Sequence, residues 1–363
     1  MRTLHVLGSR QFGGADQFFV RLVQGLADAG YPTLAVTRPG SPAATALQDT
    51  GCRQVHLPLA NQWDLISVLR LRALVRRWKP DVVQTYMGRA TRLTRLPRIS
   101  AAVHIARLGG YYKIRGYYGH AHAWIGNTRG VCEYLVAEGL PADRVFRVGN
   151  FVPEPQAFDE EAIRAERDRL RIPDNAWVLF ALGRFIDIKG FDDLIQSISI
   201  LPAEMGDRPL HVVVAGDGPL CGGLHAMAAR LGLAERIHWL GWCERPSLYY
   251  WLCDVMVCPS RHETLGNVIL EAWRHRRPVV STMTPGGREL VEDGVDGLLT
   301  PCKQPCALAG RIREMLELDP STRTRIANAG ASKVEREHGG AAVLDAYLSL
   351  YRKLVDRRRV AVP

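Results

Sequence analysis

The chain alternates between short unbroken apolar runs and longer stretches whose apolar positions return every three or four residues. Leu4-His5-Val6-Leu7, Thr33-Leu34-Ala35-Val36, Val55-His56-Leu57, Asp81-Val82-Val83-Gln84-Thr85, Ala101-Ala102-Val103-His104-Ile105 and Ala123-Trp124-Ile125-Gly126-Asn127 read as strands. Between the first two, Phe18, Phe19, Leu22, Val23 and Leu26 share one helical face that Gly30 terminates. Leu71, Leu74, Val75 and Trp78 do the same later, with charges on the other side of that helix. Strand and helix in regular alternation predict βαβ units and a parallel sheet.

At Gly149-Asn150-Phe151-Val152-Pro153-Glu154-Pro155 the composition shifts, acidic residues follow, and proline stiffens a connection. The pattern then restarts with Val178-Leu179-Phe180-Ala181-Leu182, His211 to Ala215, Ile237 to Leu240, Asp254 to Cys258 and Val279-Val280-Ser281. Asp293-Gly294-Val295-Asp296-Gly297-Leu298-Leu299 reads as a Gly-bounded hairpin, and Ala342 to Arg359 as a closing amphipathic helix through Leu344, Tyr347, Leu348, Tyr351, Leu354 and Val355.

Candidate chemistry gathers after the run that ends at Cys258. Pro259-Ser260 stops the strand and Val268 to Trp273 reads as a buried helix, so Arg261 to Asn267 is a strand-to-helix loop. Its helix start, at Gly266 and Asn267, offers unpaired N–H groups and the positive end of a dipole to an anion. Glu263 lies just before, and Glu271 follows Asn267 by one turn on the same face. Carboxylates beside an anion site suit hydroxyl groups, hence a sugar. Gly183-Arg184 and Lys189-Gly190 bracket a second strand-to-helix loop of the kind that wraps a diphosphate, and Gly216-Asp217-Gly218 forms a third turn. Gly8, Gly13 and Gly14 do not match Gly-x-Gly-x-x-Gly, which disfavours a dinucleotide cofactor, and Asp16 is placed to cap the helix that follows.

The glutamates Glu263 and Glu271, eight positions apart in a Pro-Ser-x-x-Glu-x-x-Gly-Asn setting, together with Gly-Arg-x-x-x-x-Lys-Gly at 183–190, resemble the retaining glycosyltransferases of the GT-B fold, family 4. The resemblance implies two Rossmann-like domains facing a central cleft: residues 1–150, plus a returning C-terminal helix at 341–359 packed back on them, for the acceptor, and 151–340 for the nucleotide sugar. It implies that Glu271 holds the ribose hydroxyls, that Glu263 lies against the donor sugar, and that Arg184 and Lys189 meet the diphosphate. Gly13, Gly14, Gly183, Gly216, Gly218, Thr264, Leu265, Gly266 and Asn267 complete the expected donor site, and the loop after Ile237 to Leu240 would lie against the base. Glu263, Arg184 and Lys189 are the expected catalytic residues. The donor is expected to be a nucleotide diphosphate sugar, UDP favoured over GDP, with no cofactor and no metal, since an Asp-x-Asp pair is missing. The sequence departs from the family where Gln84, Tyr86 and Gly109-Gly110 stand in place of its histidines. His104 reads as a packed core histidine, and no base is assigned.

Charge adds a preference for the acceptor. Residues 1–150 hold 20 Lys and Arg against 8 Asp and Glu, whereas the other 213 hold 27 against 29, within a total of +10. The excess concentrates at Arg70 to Lys79 and at Arg89, Arg92, Arg95 and Arg98. An anionic glycan or glycolipid acceptor fits, with Asp16, Arg89, Arg107, Tyr111 and Lys113 as candidate contacts, and so does peripheral contact with an anionic inner-leaflet membrane. Nucleic acid is not expected, because no binding-module motif accompanies the charge. Eight cysteines without a Cys-x-x-Cys pair, no long apolar run and no signal-like start point to a cytoplasmic protein, on its own or peripheral at the inner membrane. The expected function is glycosyl transfer in bacterial lipopolysaccharide or envelope polysaccharide synthesis; the alternatives are a nucleotide-sugar epimerase of related fold and a non-catalytic basic membrane-surface binding protein.

Overall fold

A computed structural model describes residues 1–97 and 100–361, so Arg98 of the second basic segment lies outside the described residues. Residues 1–151 together with 338 onward form one compact unit, and 152–337 form another. The first unit contains β1 (Thr3–Leu7), α1 (Gly14–Asp28), β2 (Thr33–Thr37), α2 (Pro42–Ala46), β3 (Arg53–His56), α3 (Leu65–Trp78), β4 (Val82–Tyr86), α4 (Met87–Leu93), β5 (Val103–Leu108), β6 (Ala123–Gly126), α5 (Arg129–Ala137) and β7 (Val145–Arg147). The second contains α6 (Glu160–Arg169), β8 (Trp177–Leu182), α7 (Phe191–Ile200), β9 (Glu204–Met205), β10 (Arg208–Ala215), α8 (Cys221–Arg230), β11 (Ile237–Gly241), α9 (Pro246–Leu252), β12 (Val255–Cys258), α10 (Asn267–Arg274), β13 (Val279–Thr282), α11 (Pro285–Leu290), β14 (Leu298–Thr300), α12 (Pro305–Glu317) and α13 (Pro320–His338). α14 (Gly340–Ala361) ends the chain.

Each unit is a parallel sheet covered on both faces. The first runs β3-β2-β1-β4-β5-β6-β7 and the second β11-β10-β8-β12-β13-β14, with short β9 antiparallel to β10. Alternation along the strands divides the core: Leu34 and Val36 enter one cluster and Ala35 another, and in β8 Leu179 and Ala181 part from Val178 and Phe180. The closing helix packs on the first unit. Tyr347 and Tyr351 of α14 are fully buried among Phe18, Phe19 and Tyr86, and the Tyr351 hydroxyl donates to Gln84 Oε1 at 2.6 Å.

Three local expectations need correction. Arg107, a candidate acceptor contact, and Leu108 extend the strand expected at 101–105 and belong to β5, because they pair in register with Ile125 and Gly126 of β6. The expected hairpin at 293–299 is a tight turn closed by one Asp293–Gly297 bridge; Leu298 and Leu299 instead pair parallel with Val280 and Ser281, where their side chains are buried. β7 has no counterpart among the expected strands, since its three residues are only half-buried or exposed at the edge of the sheet and give little apolar signal.

Candidate active site

In the second sheet the chain leaves β8 toward β10 and β11 on one side, then returns to β12 on the other. Loops leaving β8 and β12 therefore diverge, and a crevice opens at the carboxyl ends of these strands, where open α/β sheets bind ligands. The loop 183–190 follows β8 and the loop 259–266 follows β12. Tertiary structure thus brings together two motifs that stand about seventy positions apart.

Their junction is an ion pair: the Lys189 ammonium reaches Glu263 Oε1, which also accepts the Ser260 hydroxyl at 2.9 Å. Both side chains keep part of their surface open, 25% for Lys189 and 13% for Glu263, so an entering ligand can still reach them. The backbone fixes the approach. N–H groups of Arg261 and His262 both donate to the Ile188 carbonyl, at 2.9 and 3.1 Å. Gly190 adopts φ +64, and a Cβ there would strike the Pro259 carbonyl, so glycine is required for the loops to close on each other.

Arg261, which sequence reasoning passed over, tightens this junction. Its guanidinium binds Asp193 through two oxygens, Nε to Oδ2 at 2.8 Å and Nη2 to Oδ1 at 2.9 Å, and reaches Asp192 and Asp187 at 2.6 Å each. Its hydrogen bonds to Asp193 and Asp192 hold the guanidinium firmly protonated. The signal available in the sequence is the acidic set Asp187, Asp192 and Asp193 flanking Lys189, which would otherwise repel a diphosphate there. Arg261 pairs with all three and offsets part of that charge.

The β12 loop is also anchored from its other side. Thr282 Oγ1 donates to the Ser260 carbonyl and the Gly286 N–H to the Glu263 carbonyl at 2.9 Å. Leu265 is buried, so it can serve a ligand only through its backbone, whereas Thr264 is half-buried and Asn267 exposed. Gly266 caps α10 in the left-handed region with no side-chain cap, leaving the first N–H groups of the helix without a capping side chain. One turn on, Glu271 accepts the Tyr250 hydroxyl at 3.1 Å through Oε2; burial and this carboxylate push the Tyr250 phenol well above its ordinary range, so it stays a donor. Trp273, fully buried, donates to the Asp296 carbonyl at 2.8 Å and fixes the roll of α10.

The remaining expected donor residues fall around the same edge. Gly183 follows β8, its N–H bonded to the Ala215 carbonyl at 3.0 Å, and Arg184 is exposed beside it. Gly216 and Gly218 lie against the backbone of 183–185, close enough that a side chain at either would collide with it. They bring the third turn onto the 183–190 loop.

In the first sheet the same switch falls between β1 and β4. Gly13 and Gly14 are exposed at the start of α1, and Asp16 accepts the Gly13 N–H at 3.0 Å, the capping role expected for it. Arg89 lies at that switch point, donating to the Gly8 and Leu59 carbonyls at 3.4 and 3.3 Å. Tyr111 and Lys113 are exposed, Tyr111 edge-on to Tyr134 at 5.3 Å. Arg107, a candidate acceptor contact, is 3% exposed, stacks 3.6 Å over Phe18 and bonds Asn150. Its strand position turns it inward. His104 is a core histidine, bonded to Thr85 Oγ1 at 3.0 Å and driven well below the ordinary imidazole range by burial.

Comparison with known proteins adds the following. Residues 162–333 match the family model described as Glycosyl transferases group 1, and residues 13–151 that of the Glycosyl transferase 4-like domain. The lipopolysaccharide core biosynthesis glycosyltransferase LpsE of Rhizobium meliloti (strain 1021) is 32% identical over 93% of this chain and 95% of its own length. A glycosyltransferase from Rickettsia africae ESF-5 superimposes with a TM-score of 0.85 at 17% identity, covering 98% of both chains. HepE of Anabaena in complex with UDP-glucose does so with a TM-score of 0.81 at 19% identity, covering 97% of this chain and 100% of that one.

Proposed function

The chain belongs to the group 1 glycosyltransferases and has their GT-B fold, and on that premise we propose that it moves a sugar from a nucleotide diphosphate to a hydroxyl of a lipopolysaccharide core or related envelope glycolipid. One observation carries the reading: Lys189, Glu263 and the start of α10 lie together where β8 and β12 end, with Glu271 one turn further on. A cation and helix N–H groups suit the diphosphate, while carboxylates on the same edge suit sugar and ribose hydroxyls.

In this reading the bond from the anomeric carbon to the diphosphate oxygen breaks as the acceptor oxygen bonds that carbon, with configuration retained. The acceptor proton passes to the departing phosphate oxygen, so no protein base is required. Negative charge grows on the diphosphate as it leaves, and Lys189, Arg184 and the helix start are aimed at it in place of a metal ion. Glu263 orients Lys189 and faces the donor sugar; Glu271 takes the ribose hydroxyls. UDP is the favoured nucleotide, in keeping with the UDP-glucose complex of HepE. The basic first unit, with Arg89 at its switch point and Tyr111 and Lys113 exposed, favours an anionic acceptor presented at the cytoplasmic face of the inner membrane.

A thermal-shift panel of UDP, GDP, ADP and CMP against wild type and Glu271→Ala tests this. A ligand at a hundred times its dissociation constant adds about 2.7 kcal/mol of stability. The expected outcome is stabilisation by UDP, lost in Glu271→Ala. Equal stabilisation of the variant, or no response to any nucleotide, overturns the assignment.

A further inference from the structure

Helix α3 has two apolar faces, and the fold uses only one. Leu71 and Val75, with Ser67 between them and the N-terminal turn, are buried against the first sheet. On the outward side Leu65, Ile66 and Leu69 are 73%, 58% and 63% exposed, and Trp63, just before the helix, is 70% exposed. Each residue advances about 100° around the axis, so Leu65, Ile66 and Leu69 fall on one outward stripe. Arg72 borders it on one side and Arg70 and Arg77 on the other, while Arg76 continues its line about two turns further along the helix, all exposed. No carboxylate occurs between Leu65 and Pro80. Asp64, the N-cap, accepts the N–H groups of Ser67 and Ala60 at 2.9 Å and is held in its anionic form by these hydrogen bonds and that of the Ser67 hydroxyl. The Trp63 indole is pinned beside the stripe by the Arg92 guanidinium, 4.4 Å from its ring centroid.

We propose that this face of α3 is a docking surface for an anionic lipid bilayer, with Leu65, Ile66, Leu69 and Trp63 entering the boundary between headgroups and acyl chains. This rests on the reading above that the acceptor is a membrane glycolipid. An apolar stripe bordered by arginines, whose one acidic neighbour in sequence, Asp64, is taken up by its N-cap hydrogen bonds, is the complement of a surface that is apolar within and negative outside: the stripe gains by burial and the guanidinium groups extend to phosphate. A protein partner of mixed charge would leave four arginines without matching acceptors. The helix lies wholly within the first unit, the one whose basic surface favours the anionic acceptor.

The test uses the full chain and vesicles of phosphatidylglycerol and phosphatidylcholine at about 3:7, with pure phosphatidylcholine as control. Wild type should co-sediment with the anionic vesicles, not with the neutral ones, and added salt should weaken the binding. The combined variant Leu65→Ser, Ile66→Ser, Leu69→Ser should bind about ten-fold or more weakly, and Arg70→Gln, Arg72→Gln, Arg76→Gln, Arg77→Gln should lose the preference for anionic lipid. These side chains are exposed, so thermal unfolding and stabilisation by UDP should match wild type in both variants. Lipids brominated on their acyl chains should quench wild-type fluorescence more than that of Trp63→Phe. Wild-type binding retained in the serine variant, or wild type that ignores anionic vesicles, overturns the proposal; so does lipid-free self-association abolished by the serine substitutions, which would place a second copy on this face. Failure of UDP to stabilise wild type would sink the donor-site reading instead and leave the vesicle result standing.

Discussion

Replacing Arg261 with alanine is the perturbation that most directly tests how the donor site is held. The substitution removes one cation from three carboxylates. They are not equivalent: Asp193 is 10% exposed, Asp192 36% and Asp187 78%. Asp187 sits in solvent and its pairing contributes little. Asp193 is left nearly buried, without the bidentate partner and with Asp192 beside it, and this dominates the effect. Breaking a buried pair costs about 3–5 kcal/mol; partial exposure of the cluster brings the expected destabilisation to about 2–3 kcal/mol. The loss should be smaller in an Asp193→Asn background, with a coupling of about 1.5 kcal/mol or more in a double-mutant cycle. Because Arg261 also ties the 183–190 loop to the β12 loop, Lys189 should lose its alignment, and kcat/KM for the donor should fall about ten- to a hundred-fold, with Arg261→Lys recovering only part. Urea unfolding of the four proteins and donor-dependent turnover measure both quantities. An unfolding midpoint and a kcat/KM unchanged in Arg261→Ala would refute the argument, because the three carboxylates would then need no counter-charge.

Lys189→Ala should slow turnover by roughly ten- to a hundred-fold or more by removing one charge-assisted contact to the leaving diphosphate, with circular dichroism showing a folded chain; near-normal rates would remove Lys189 from the site. Glu271→Ala should weaken nucleotide binding similarly, read by calorimetry with UDP, and unchanged affinity would count against its ribose role. Gly190→Ala should destabilise by more than about 1 kcal/mol and lower turnover, since the new Cβ must displace the Pro259 carbonyl at a positive φ; a neutral result by thermal unfolding would contradict the close approach of the two loops. Burial lowers His5 from 6.5 to about 3. The unfolded chain therefore takes up this proton first as pH falls, so the contribution is fully present above about 6.5 and is lost toward about 3 at about 1.4 kcal/mol per pH unit. His5→Gln should reduce the slope of stability against pH between about 6.5 and 4.5 by one proton; an identical slope would show that His5 titrates normally.

Much of the fold was legible because parallel sheets buried on both faces write themselves as apolar runs. Leu4 to Leu7, Val178 to Leu182 and Val255 to Cys258 announce their strands without help from distant residues. Short or edge elements did not: β7 has little to bury, and the pairing of Leu298 and Leu299 with β13 is decided by a neighbour that local pattern cannot display. Arg107 shows the same limit. By sequence it is a candidate acceptor contact, but its place in β5 faces it inward onto Phe18 and Asn150.

The candidate site divides along the same line. Glycines, Lys189 and Glu263 could be singled out in the chain because each stands at a strand-to-helix turn where its chemistry is unusual, and Glu271 because it follows such a turn by one turn of helix. The sequence by itself thus determined the alternating α/β architecture, the restart near residue 150 and the residue types at the turns, all of which follow from local burial and backbone geometry. Only tertiary structure decided that the 183–190 and 259–266 loops share one crevice, that Arg261 pairs with Asp187, Asp192 and Asp193, and that α3 keeps Leu65, Ile66 and Leu69 outside. Those facts depend on strand order and on which helical face a neighbour covers, and both are set by long-range pairing that burial preferences along a single segment cannot specify.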